Sequence, residues 1–95
     1  MIWKNSKMST VYYDADQADE NVPCVVKFDD ATILVEYEDD GIVQYRGKER
    51  SPGHFELFSD AVNGKATLHM FPGSKLLEGS WIEDGARGMW WVELA

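Results

Sequence analysis

The chain has 95 residues and a formal net charge of −8, with seventeen Asp and Glu against nine Lys and Arg. That length supports one domain with a single modest core, and the charge disfavours nucleic acid and anionic membrane as partners, since both demand basic patches. A hydrophobic fraction of 44% with four each of Trp, Tyr and Phe argues for a folded globule rather than disorder.

Cys24 is the lone cysteine, so no intrachain disulfide forms, and no Cys/His cluster has zinc spacing. No apolar run approaches the roughly twenty residues of a membrane span. Met1-Ile-Trp-Lys-Asn-Ser-Lys lacks the apolar stretch of a signal peptide. These features predict a soluble protein of a reducing compartment, the cytoplasm. Met8 offers a second start, in which case residues 1–7 are a leader outside the fold.

Residues 1–21 read as a flexible acidic N-terminal segment. Val11-Tyr12-Tyr13 is a short strand candidate, and Asp14 with Gln17 resembles a capping box, so residues 15–20 form either a turn or two of helix or a frayed tail. From Val22 to the end the period is two, which places the folded domain at 22–95. Cys24, Val26 and Phe28 share one face, and a two-residue turn at Asp29-Asp30 pairs Val26 with Ile33 and Cys24 with Val35. Asp39-Asp40-Gly41 suits a three-residue loop that sets Val43 opposite Tyr37. Val43, Tyr45 and Gly47 then point inward. Ser51-Pro52-Gly53 turns the chain again and keeps Phe55 and Leu57 inward beside Gly47.

Asn63-Gly64 is a type I′ turn signal and pairs Leu57 with Met70 and Ser59 with Leu68. After Pro72-Gly73, Leu68 falls opposite Leu77 and Ala66 opposite Gly79. Asp84-Gly85 is the strongest hairpin signal in the chain, because a type I′ turn needs positive φ at both central residues. It pairs Glu83 with Ala86, Trp81 with Gly88, Gly79 with Trp90 and Leu77 with Val92, so each large ring faces a glycine. Seven or eight antiparallel strands follow one another as a meander. Such a sheet has two exposed edges, and closure removes them. The expected fold is all-β, a small up-and-down barrel filled by side chains or holding one small ligand. The alternative is a curled open sheet completed by dimerisation.

The runs Tyr45-Arg-Gly-Lys-Glu49, Gly53-His-Phe-Glu-Leu57, Gly64-Lys-Ala-Thr-Leu-His69 and Leu77-Glu-Gly-Ser-Trp81 with Gly88-Met-Trp90 resemble a group of small uncharacterised bacterial proteins. The architecture is similar to the lipocalin and streptavidin-like (calycin-type) barrels, whose members generally bind small molecules. Gly79-Ser80-Trp81 echoes the lipocalin Gly-x-Trp, here on the penultimate strand. What the resemblance implies is a barrel and a ligand class, with no ligand-binding residue carried over.

The residues name no reaction. No nucleophile elbow, phosphate loop or dinucleotide fingerprint occurs, so no catalytic residue, cofactor or metal is expected. His54 and His69 read as solvated strand residues, with His69 opposite Phe58 and too far from His54 to share a site. The Asp pairs sit in turns, where Asp bonds the local backbone. Alternate turns of a meander share an end, which gathers Asp39, Asp40, Asp60 and Asp84 into one acidic rim.

Two functional surfaces remain. Tyr37, Tyr45, Trp81 and Trp90 point inward with polar tips on apolar bodies; they either line a pocket for a small apolar or aromatic ligand or simply fill the barrel. Ile82, Met89 and Trp91 face out on the terminal hairpin, and a contiguous apolar stripe of that kind predicts a homodimer interface anchored by Trp91.

Overall fold

The computed structural model describes residues 1–95 and contains eight strands: β1 (Ile2–Tyr12), β2 (Ala18–Asp29), β3 (Thr32–Glu38), β4 (Ile42–Ser51), β5 (His54–Ser59), β6 (Gly64–His69), β7 (Leu76–Glu83) and β8 (Ala86–Glu93). They run antiparallel in sequence order and close into a barrel by pairing β1 with β8. The open, dimer-completed sheet is therefore excluded, since neither end strand has a free edge. No helix is long and apolar enough to cross a membrane.

Closure enlists residues expected to stand apart. Residues 2–12 form β1 of the barrel: Lys7 to Tyr12 pair with Glu93 to Gly88, and Ile2 to Val11 pair with Lys27 to Ala18 of β2. Bulges between Trp3 and Ser6 and between Met8 and Thr10 bend this strand so that it can serve both neighbours. Met8 is buried in the core. Ser6 is also buried because its hydroxyl donates to Trp3 O at 3.1 Å and accepts from Ala95 N at 3.1 Å. Residues 13–17 form a tight connection rather than a helix, with Gln17 N donating to Ala15 O and Tyr12 N to Gln17 O.

The terminal hairpin has the register its turn dictates, Glu83 to Ala86, Trp81 to Gly88, Gly79 to Trp90 and Leu77 to Val92, with φ of 48° at Asp84 and 88° at Gly85. The β3–β4 and β4–β5 pairings also follow the sequence, with Tyr37 opposite Val43 and Gly47 opposite Leu57.

Three registers differ. The β2–β3 turn lies at Asp30-Ala31 instead of Asp29-Asp30. Asp30 takes the left-handed conformation (φ 59°) and Thr32 Oγ1 bonds Asp29 O, so Val26 meets Val35 and Cys24 meets Tyr37. Asn63-Gly64 is not a two-residue turn either. The connection spans residues 60–63, and Gly64 already belongs to β6, opposite Ser59. The glycine serves close packing there, because a Cβ on Gly64 would lie 2.1 Å from the Tyr45 hydroxyl. Leu57 thus faces Ala66 and, across the next pair, Leu68 faces Gly79. Each slip is an even number of residues, so no side chain changed face.

The inward set forms one core that includes Val26, Ile33, Val35, Leu57, Leu68, Leu77, Trp81 and Trp90, all buried. Following the paired residues once round the barrel from Tyr12 leads to Phe28, whose amide donates to Met1 O. The circuit therefore climbs from one end of β1 to the other, and this stagger tilts the strands and sets the width of the interior.

Candidate functional site

Connections alternate between the two ends of the barrel. At one end lie the β2–β3, β4–β5 and β6–β7 turns with both termini, and there the interior is filled. Phe28 and Phe55 pack with ring centroids 5.8 Å apart, Leu77 and Leu94 are buried, and Trp3 packs against the same cluster. At the other end lie residues 13–17, 39–41, 60–63 and 84–85, the acidic rim expected from the turns. Below that rim the barrel is not filled. A cavity of about 330 Å³ opens there, lined by Tyr37, Tyr45, Trp81 and Trp90 together with Met8, Thr10, Tyr12 and Val22. Pocket and packed core, set against each other in the sequence, are both present at opposite ends.

The four inward rings come together because their strands present them at successive heights on the same face. Trp90 and Trp81 are each almost wholly buried, and Tyr45 is 1% exposed. The Trp90 ring meets Tyr45 edge-on at 5.2 Å and Tyr37 at 6.3 Å, and Trp81 meets Tyr12 at 4.9 Å. The polar tips are anchored. Trp81 Nε1 donates to Met89 O at 3.2 Å, Trp90 Nε1 points to Met8 Sδ at 3.2 Å, and the Tyr45 hydroxyl donates to Glu83 Oε1 at 2.6 Å. These bonds fix the polar tips of packed rings, and Tyr12 and Tyr37 are the ones left partly exposed at the mouth.

Carboxylates complete the mouth: Asp19, Glu38, Asp39 and Glu83 belong to the lining, and no Lys, Arg or His does. Their field reaches the phenols. Burial raises the pKa of Tyr12, Tyr37 and Tyr45, and Glu83 raises all three further, with Asp39 adding to the shift at Tyr12 and Tyr37. Ser59, turned inward at the same end opposite Gly64, keeps a buried hydroxyl with no protein partner.

Tyr12, Met8 and Asp19 join the lining from β1 and the start of β2, which lie before the period-two pattern that begins at Val22. Glu83 was legible only as a hairpin residue beside Asp84-Gly85. Nothing local shows that it turns to the Tyr45 hydroxyl 38 positions away.

Outside the barrel, Ile82 is 53% exposed on β7, whereas Met89 and Trp91 on β8 are partly buried. Trp91 lies between Ser9 of β1 and Glu78 of β7, and Lys65 separates Ile82 from Phe58. The apolar stripe is thus interrupted by polar neighbours. His54 and His69, expected far apart, are cross-strand partners with Nδ1 and Nε2 3.1 Å from each other, a direct result of the β5–β6 register. No group of three or more His, Cys, Asp or Glu is placed to hold a metal ion. Cys24 is buried, and burial pushes its thiol up to about 12, which leaves it protonated and inert at neutral pH.

Fold and site together define an eight-stranded antiparallel meander barrel, packed at one end and hollow at the other, an architecture compatible with a calycin-like fold. Comparison with protein-family models, curated proteins and solved structures finds no match.

Proposed function

We propose that this barrel is a non-enzymatic module that holds a small apolar or aromatic molecule against Tyr37, Tyr45, Trp81 and Trp90. The observation that supports the reading is the cavity of about 330 Å³, walled by anchored aromatic rings and open at one end of a closed scaffold. Concave, mostly apolar sites with a few fixed polar groups are how small-molecule sites are built. The resemblance of the architecture to lipocalin and streptavidin-type barrels, whose members generally bind small molecules, adds support by analogy. A lone protonated thiol in the core suits a reducing compartment, which supports a cytoplasmic location.

The test is titration with the neutral dye N-phenyl-1-naphthylamine, read by dye emission and tryptophan quenching. Saturable uptake at one dye per chain is expected. Val22→Trp, which fills the cavity from β2, should abolish uptake while leaving the β-sheet circular dichroism unchanged. No uptake by folded wild-type protein would sink the reading.

A second reading concerns the outer face of the terminal hairpin. Exposed Ile82, with partly buried Met89 and Trp91 on the same outer face, supports a homodimer with Trp91 as its anchor. Barrel closure removes any unpaired edge as a driving force, so the contact would rest on side chains alone. Light scattering at micromolar concentration should give the dimer mass for wild type and the monomer mass for Trp91→Ala. A monomeric wild type rejects the reading, and a dimer that survives the substitution puts the interface elsewhere.

A further inference from the structure

We infer that the molecule held in this cavity is a small organic cation, an amine or quaternary ammonium on an apolar or aromatic body, an inference that rests on the ligand-binding reading above. Three observations on the geometry carry it. The first is the sign of the lining. Four carboxylates from three separate stretches of chain, Asp19, Glu38, Asp39 and Glu83, converge on one mouth, and no basic side chain accompanies them.

The second is that these charges are uncompensated. The molecule's two ion pairs, Arg50 with Glu56 and Arg87 with Asp14, involve none of the four. Glu83 is the deepest placed of them, since its Oε1 takes the hydroxyl of the buried Tyr45. Its neighbours register the field, for the phenols of Tyr12, Tyr37 and Tyr45 are all held in the neutral form, by burial first and by Glu83 as well. Burial opposes charge of either sign, but the part of the effect due to Glu83, and at Tyr12 and Tyr37 to Asp39, opposes an anion and favours a cation.

The third is the chemistry of the rings. Tyr and Trp present negative faces that attract ammonium groups, most strongly where water is excluded. A neutral apolar ligand would use the rings and gain nothing from the carboxylates, of which Asp19, Glu38 and Asp39 stand exposed at the rim and Glu83 is half-buried. Solubility alone asks only for acids on the outside, and this chain has many there; it does not require Glu83 to turn into the barrel mouth. A cation is the ligand that uses both halves of the lining at once.

The experiment compares three probes of one shape but different charge: benzyltrimethylammonium, its carbon analogue neopentylbenzene, and the anion phenylacetate. Binding is followed by tryptophan fluorescence and by NMR shifts of the indole N–H groups. The cation should bind at least about tenfold more tightly than the neutral analogue, a factor that one added charge contact readily supplies, and the anion should not bind. Glu83→Gln, and separately Asp39→Asn in the exposed loop, should each reduce that preference, read as the ratio of benzyltrimethylammonium to neopentylbenzene affinity in the same variant. In Glu83→Gln the amide oxygen can still accept the Tyr45 hydroxyl, so folding is preserved, and Asp39→Asn keeps the test open if it is not. If the neutral probe binds as well as the cation, or if both variants keep the full cation preference, the charge inference is overturned while ligand binding stands. If no probe binds and the neutral dye also fails, both fall together.

Discussion

Trp90→Ala should lower the unfolding free energy by about 3 kcal/mol, the low end of the range of about 3–5 kcal/mol for emptying a large buried ring. Trp90 is 3% exposed and touches both Tyr37 and Tyr45 through its edges, so its removal strips contacts from two other rings. It also leaves the Met8 sulfur without the indole N–H that points to it. The low end is expected because the ring already borders the cavity of about 330 Å³. The new space joins a polar-mouthed site that water can enter, instead of forming a dry void. Urea unfolding followed by the remaining tryptophans measures the loss, and an unchanged slope would show that the transition stays two-state. A cost below about 1 kcal/mol would show that the ring stabilises little more than surface residues do.

Gly79→Ala should be as damaging, although it adds a single methyl group. An ideal Cβ at Gly79 lies 1.7 Å from Thr67 O and 3.0 Å from Leu68 Cα. Both are backbone atoms of β6, so no side chain can rotate away. Relief requires β6 and β7 to separate where Leu68 pairs with Gly79, in a barrel whose closure transmits the shift to every other strand. Overpacking of this kind costs about 3 kcal/mol or more. For a chain of this size that corresponds to a fall in Tm of roughly 12–24 °C. Gly73→Ala is the control. Gly73 has φ of 76° with nothing within 4 Å, so only the left-handed penalty of about 1–2 kcal/mol applies. Differential scanning calorimetry of the two variants separates close approach from conformational preference. Equal shifts would show that the β6–β7 contact is softer than its geometry implies.

The residue pattern by itself determined which side chains enter the core. Alternation is a property of each strand alone, and an even register slip leaves it intact. That is why Val26, Ile33, Leu57, Leu68 and Leu77 are all buried even though three pairings moved. Asp84-Gly85 likewise determined the β7–β8 register, since a type I′ turn is encoded by two adjacent residues. Turn alternation placed the acidic rim for the same local reason. Only the tertiary structure decided that β1 belongs to the barrel. Its inward Ser6 looks like a surface residue until it bonds Ala95, 89 positions away, and no local period carries that partner. The same long-range closure brought Tyr12 and Met8 to the rings of β7 and β8 and turned Glu83 to Tyr45. The same pairings gather Phe28, Phe55, Leu77 and Leu94 at one end and leave the other hollow, because which inward side chains share a level depends on all eight registers together.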